Sequence, residues 1–153
     1  MKKLLINLRY LLAPASISLA LYGVVQGGAL SWLGVFMLGA AIIVDTLVKT
    51  QTKGAGFDED GETNGVAWFQ NTVMYVMLPL FICLQIALAV QVSAFMAGAA
   101  SLTELIGCTL SAGIFLGMGI IYGHELAHTK GFSFTIARLM MALSGKAHFC
   151  YAH

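Results

Sequence analysis

The residues able to do chemistry are concentrated in one stretch, Gly123-His124-Glu125-Leu126-Ala127-His128-Thr129. His124 and His128 stand four residues apart. On a helix that spacing sets both imidazoles on one face, one turn apart and about 6 Å along the axis. Two neutral imidazoles so placed can hold one transition metal, or one edge of a two-metal site. Glu125 lies about 100° around the helix from His124, beside the metal face rather than in line with it. On a soluble surface helix such a pair is often merely solvated. Here it follows directly on a long apolar run, where burying an imidazole is costly and a functional role is the default.

Composition sets the environment of that pair. Of the 153 residues, 59% are hydrophobic and 10% charged, against about a quarter charged in a soluble domain. The mean hydropathy is +0.85. The chain reads as an all-α, polytopic transmembrane helical bundle forming a single membrane domain. The formal net charge of +1 offers no basic excess to meet phosphates, which excludes nucleic acid as a partner. Cys83, Cys108 and Cys150 are odd in number and scattered, and no disulfide is expected.

Four spans are expected, at about residues 4–25, 29–48, 68–92 and 102–122. The first contains Pro14, expected to kink its opening turns, and ends in the tight turn Gln26-Gly27-Gly28. The second carries Asp45 near its end, read as a carboxylate at headgroup level rather than as a partner of the metal site. Lys49 to Asn64 is polar and glycine-containing, a solvated loop without the ligand spacing of a calcium-binding loop. In the third span Trp68 and Tyr75 suit a membrane interface. Pro79 implies a bend, and Gln85 and Gln91 offer hydrogen bonds to neighbouring helices. The fourth is rich in small residues. Its GxxxG pairs, Gly113 with Gly117 and Gly119 with Gly123, place it inside the bundle.

A further short helix is expected over Ser133 to Leu143, with Ser133 as N-cap and Gly145 as C-cap. It is too short to span, so it lies at the interface or packs on the bundle. It is expected to return the chain toward the box and bring His148 and His153 near it. All eight basic residues fall on one side of the four-span arrangement: Lys2, Lys3, Arg9, Lys49, Lys53, Lys130, Arg138 and Lys146. By the positive-inside rule that side is cytoplasmic. The N-terminus and all four histidines then face the cytoplasm from an inner membrane.

Two readings of the box compete. His124-Glu125-Leu126-Ala127-His128 satisfies H-E-x-x-H, the zinc metalloprotease signature, in which Glu125 would activate a zinc-bound water. The sequence beyond it points elsewhere. Gly123-His-Glu-Leu-Ala-His-Thr-Lys, then Arg138-Leu-Met-Met-Ala-Leu, then His148-Phe-Cys-Tyr-Ala-His153, resembles the membrane-bound non-haem di-iron alkane and xylene monooxygenases. The wider superfamily contains the fatty-acid desaturases and hydroxylases. The resemblance implies three histidine boxes on the cytoplasmic side of a helical bundle. His124 and His128 match the first box. His148-Phe149 matches a His-Phe that precedes the second, and His153 matches the first histidine of that second box. The departure at Ala152, where alkane hydroxylases often carry Glu, leans toward the aryl-methyl side.

The resemblance implies His124, His128, His148 and His153 as iron ligands and Glu125 as an acceptor that orients an imidazole. Two non-haem irons would be the cofactor, with O2 as co-substrate and an apolar hydrocarbon as substrate. Electrons would come from rubredoxin or a ferredoxin-type reductase. The rest of box two and all of box three do not occur before His153, so the sequence is expected to be the N-terminal part of a longer hydroxylase. A non-catalytic membrane subunit is the third class considered.

Overall fold

A computed structural model describes residues 8–48 and 67–148, all helices and turns. The expectations for Lys2, Lys3, the acidic loop, Cys150 and His153 lie outside the described residues. A 3₁₀ turn at Arg9–Leu11 leads into α1 (Leu12–Gln26). A second 3₁₀ turn, Gly28–Trp32, leads into α2 (Leu33–Val48). Then follow α3 (Ala67–Met96), α4 (Leu102–Ala127) and α5 (Phe132–Leu143). Three stretches are long and apolar enough to cross a membrane: Gly28–Leu47, Trp68–Met96 and Leu102–Ala127.

Of the first expected span, residues 4–7 lie outside the described residues, and its α-helical part is not among the three membrane-length stretches. α1 has 15 residues, about 22 Å of helix, whereas a hydrocarbon core is about 30 Å thick. Pro14 stands in its first α-helical turn, directly after the 3₁₀ turn Arg9–Leu11, so the helical backbone changes from 3₁₀ to α geometry just ahead of the proline. α3 runs unbroken through Pro79 and past residue 92 to Met96.

Glycine geometry builds the turn after α1. Gly27 caps α1 at φ 68°, its N–H donating to the Gly23 carbonyl, and Gly28 follows at φ 54°. Both are left-handed positions that side chains resist. The Gly28 N–H then donates to Glu104 Oε1 at 2.8 Å. Ser101 caps α4 by accepting from the Glu104 N–H, but the Glu104 carboxylate reaches across to α1's turn instead of closing a capping box. Gln91 Nε2 donates to the Val24 carbonyl at 2.7 Å, tying α3 to the same turn.

Close approaches give the helix directions. Gly34 faces Ser111, and Gly107 faces Ser31 and Trp32, so α2 and α4 run parallel, with Val48 and Ala127 at the same end. Tyr75 Oη meets Ser133 Oγ at 2.6 Å, and Gln85 Nε2 donates to the Leu143 carbonyl at 2.9 Å. Both pairs are 58 apart in sequence, so α5 runs parallel to α3 and antiparallel to α4. Tyr75 therefore docks α5, with its ring against Phe132.

The reversal from α4 into α5 is made by Gly131 at φ 71°, the residue that occupies the N-cap position expected of Ser133. At the other end Gly145 stands at φ 72°, its N–H donating to Ala142 and the Lys146 N–H to Met141. This Schellman arrangement ends α5 where the sequence placed its stop. The core joins Ile17, Ala20 and Val24 of α1, Met77, Phe81 and Leu84 of α3, Cys108, Ala112 and Phe115 of α4, and Ile136, Ala137 and Met140 of α5. Of the two glycine pairs, only Gly119 and Gly123 carry packing, against Phe81, Ser144, Ala137 and Met141. Gly113 and Gly117 have no atom within contact range of a built Cβ, so α4 is only partly enclosed.

Candidate metal centre

α4 continues unbroken to Ala127, so the histidine box is the last turn of a membrane-length helix rather than a loop beyond it. Gly123 and Leu126 are buried, with Gly123 facing Ala137 and Met141 of α5. That packing fixes the rotation of the last turn and turns the opposite side outward. His124 is half-buried there and His128 exposed. His128 closes the helix as its C-cap with φ −74° and ψ −6°. Thr129 satisfies a terminal carbonyl, with its backbone N–H and its hydroxyl both donating to Leu126 O, at 3.1 and 2.6 Å.

The two rings meet through their outer nitrogens. His124 Nε2 and His128 Nε2 are 3.2 Å apart, with ring planes at 89° and centroids at 4.7 Å. At that distance one ring's Nε2–H donates to the other's bare Nε2, which requires different tautomers. The same distance suits a shared ion. With two metal–nitrogen bonds of about 2.1 Å, a 3.2 Å separation corresponds to a bond angle of about 100°, between octahedral and tetrahedral values. The C-terminal end of a helix also carries partial negative charge, which favours a cation. The pair fits a metal, as two ligands of its set. Among the described residues no group of three His, Cys, Asp or Glu forms a fuller site.

The other residues singled out by sequence are distributed differently. Glu125 is exposed and lines a separate cleft of ≈ 430 Å³ with Tyr10, Gln70 and Tyr122. That cleft lies on the side of α4 turned toward α1 and α3, not on the histidine face. α5 starts beside the box but runs back along α4, so that Ser144 stands level with Gly119. His148, exposed, follows that remote end. α5 thus carries His148 away from the pair, because its apolar stripe of Ile136, Ala137, Met140 and Met141 is buried lengthwise against the bundle. Asp45 sits in the last turn of α2.

Sequence reading missed the Glu104 bridge to Gly28 and the association of Glu125 with Gln70 and Tyr10. The first had a signal, the capping sequence Ser101-Leu-Thr-Glu104, though nothing in it indicated that the carboxylate would serve another helix. No family model, curated protein or solved structure matches the chain.

Proposed function

We propose that this chain is the part of a membrane non-haem di-iron monooxygenase that supplies the first histidine box. The enzyme would insert one oxygen atom from O2 into an apolar hydrocarbon, an alkane terminal methyl or an aryl methyl. The observation that carries the reading is the 3.2 Å approach of two Nε2 atoms at the end of a membrane-length helix. His124 and His128 would hold iron, and His148 and His153 are proposed as further ligands brought in by a fuller assembly. Bound iron supplies the activation of dioxygen. The chain's own part is to fix two imidazoles one turn apart, to hold them at the end of a helix and to border them with lipid-soluble space.

The parallel course of α2 and α4 supports the topology, since it puts the end of α2, ahead of Lys49 and Lys53, on the side of the box and Lys130. We read that side as cytoplasmic, α1 as the fourth membrane segment, and rubredoxin or a ferredoxin-type reductase as the electron donor.

The zinc-protease reading uses the same pair and differs in metal and reaction. Membranes carrying the enzyme should consume O2 when given octane or xylene and a reductant, and His124→Ala and His128→Ala should each abolish uptake. Zinc in place of iron in active preparations, with peptide cleavage lost in Glu125→Gln, would overturn the proposal. The 153-residue chain alone is expected to be inactive in this assay, because it brings four histidines where the resembled sites draw on three boxes.

A further inference from the structure

The cleft at Glu125 is walled by three parts of the chain at the histidine end of the bundle. Gln70 comes from the first turn of α3, Tyr122 and Glu125 from the last turns of α4, and Tyr10 from the 3₁₀ turn ahead of α1. Its volume of ≈ 430 Å³ lies within the range of about 300–1,000 Å³ usual for small-molecule sites. α4 has 26 residues, about 39 Å of helix, against a hydrocarbon core of about 30 Å. Glu125 stands just ahead of its end at Ala127, and therefore at headgroup level. Ile121 is one turn, about 6 Å, further in, and with Val73 and Met74 it makes the inner wall apolar.

Three polar side chains of this cleft are uncommitted. Among the described residues Gln70, Tyr122 and Glu125 make no hydrogen bond or ion pair. Tyr122 and Glu125 are three apart on α4 and so neighbours on its surface. No Lys, Arg or His lines the cleft, so the carboxylate has no counter-charge within it. The cleft thus presents three acceptors, a carboxylate, an amide carbonyl and a phenol oxygen, beside an apolar wall.

We propose that this cleft binds a primary ammonium group, its three N–H donors shared among the Glu125 carboxylate, the Gln70 side-chain carbonyl and the Tyr122 hydroxyl, with the carbons that carry it against Val73, Met74 and Ile121. Glu125 supplies the opposite charge, and the rings of Tyr10 and Tyr122 add a further attraction for a cation. An anion is repelled by the carboxylate, and a hydrocarbon offers the three polar groups no partner. A quaternary ammonium keeps the charge but has no N–H to give. Calcium takes about six to eight oxygen ligands, more than the cleft provides. The ammonium can be carried by a soluble arylalkylamine or by an aminophospholipid headgroup, since both reach this depth. The site does not involve the metal, because Glu125 and the histidine pair occupy different sides of α4.

The test uses the metal-free 153-residue chain, labelled with methyl-¹³C methionine, in phosphatidylcholine nanodiscs. Met74 lines the cleft, whereas Met37 and Met118 line an apolar pocket on the α2 side of α4. Titration with phenethylamine at neutral pH should shift the Met74 methyl signal saturably and leave those of Met37 and Met118 in place. Its N,N,N-trimethyl derivative, 2-phenylethanol and 3-phenylpropanoate should each bind about tenfold more weakly or worse, the ratio of one charge-assisted hydrogen bond. Glu125→Gln, a substitution of the same shape at an exposed position, should remove the preference for the amine over the alcohol. Replacing a third of the phosphatidylcholine by phosphatidylethanolamine identifies the source. A Met74 shift without added amine assigns the site to the lipid headgroup, and its absence, with phenethylamine still bound, assigns it to a soluble amine. A Met74 signal that does not saturate, or that moves together with those of Met37 and Met118, would overturn the proposal. So would equal binding of the trimethyl derivative or of 2-phenylethanol, or a preference unchanged in Glu125→Gln.

Discussion

Three glycine-to-alanine substitutions should separate by a graded amount, because the space around each glycine differs. At Gly34 a Cβ would stand 2.8 Å from Ser111 Cβ and 3.0 Å from Ser111 Cα. The second contact is backbone and cannot rotate away, so α2 and α4 must part. At Gly123 the nearest atoms are Met141 Cγ at 3.0 Å and the Ala137 carbonyl oxygen at 3.3 Å, and the methionine can yield. At Gly117 nothing lies within 4 Å. Overpacking costs about 1–3 kcal/mol, and replacing a helical glycine by alanine returns up to about 1 kcal/mol. Net losses of about 2 kcal/mol at Gly34 and about 1 kcal/mol or less at Gly123 follow, with a neutral effect or a small gain at Gly117. Reversible unfolding in mixed lipid–detergent micelles, followed by circular dichroism, reads the order. A loss at Gly117→Ala as large as that at Gly34→Ala would refute the reasoning, since it would mean that the Gly113–Gly117 face is packed.

Glu104→Ala removes the acceptor of the Gly28 N–H and should cost about 1–2 kcal/mol, with Glu104→Gln recovering part of the loss in the same unfolding measurement. Gln85→Leu and Tyr75→Phe cut the two polar ties of α5 to α3. Each should cost about 0.6 kcal/mol and speed amide exchange in α5 before it does so in α4. For topology, alkaline phosphatase fused after Gly98 should be active and after Lys130 inactive; the reverse would place the histidine pair on the periplasmic side.

The legibility of this chain varied with the range of the interaction. The box spacing, the stops at Gly27 and Gly145 and the bonding roles of Gln85 and Gln91 were readable, because each depends on local geometry or on a polar group that must find a partner among apolar neighbours. Which glycine pair would pack was not readable. Gly113–Gly117 and Gly119–Gly123 share a spacing, and only the position of α5 distinguishes them. The direction of α5 was equally hidden. Its apolar stripe called for a partner surface, and Tyr75 with Gln85 set the course that takes His148 away from the box. Glu125 followed from helix geometry, since about 100° of rotation moves it off the histidine face, but the cleft it enters is made by α1 and α3.

The central claim is that His124 and His128 together bind a metal. Iron K-edge absorption on the 153-residue chain loaded anaerobically with one equivalent of ferrous ion addresses it directly. The account predicts imidazole nitrogen scattering at about 2.1 Å from two rings. That signal should be reduced in either His124→Ala or His128→Ala, lost in the double variant and unchanged in Glu125→Gln. Iron retained with the same imidazole signal in the double variant would contradict it.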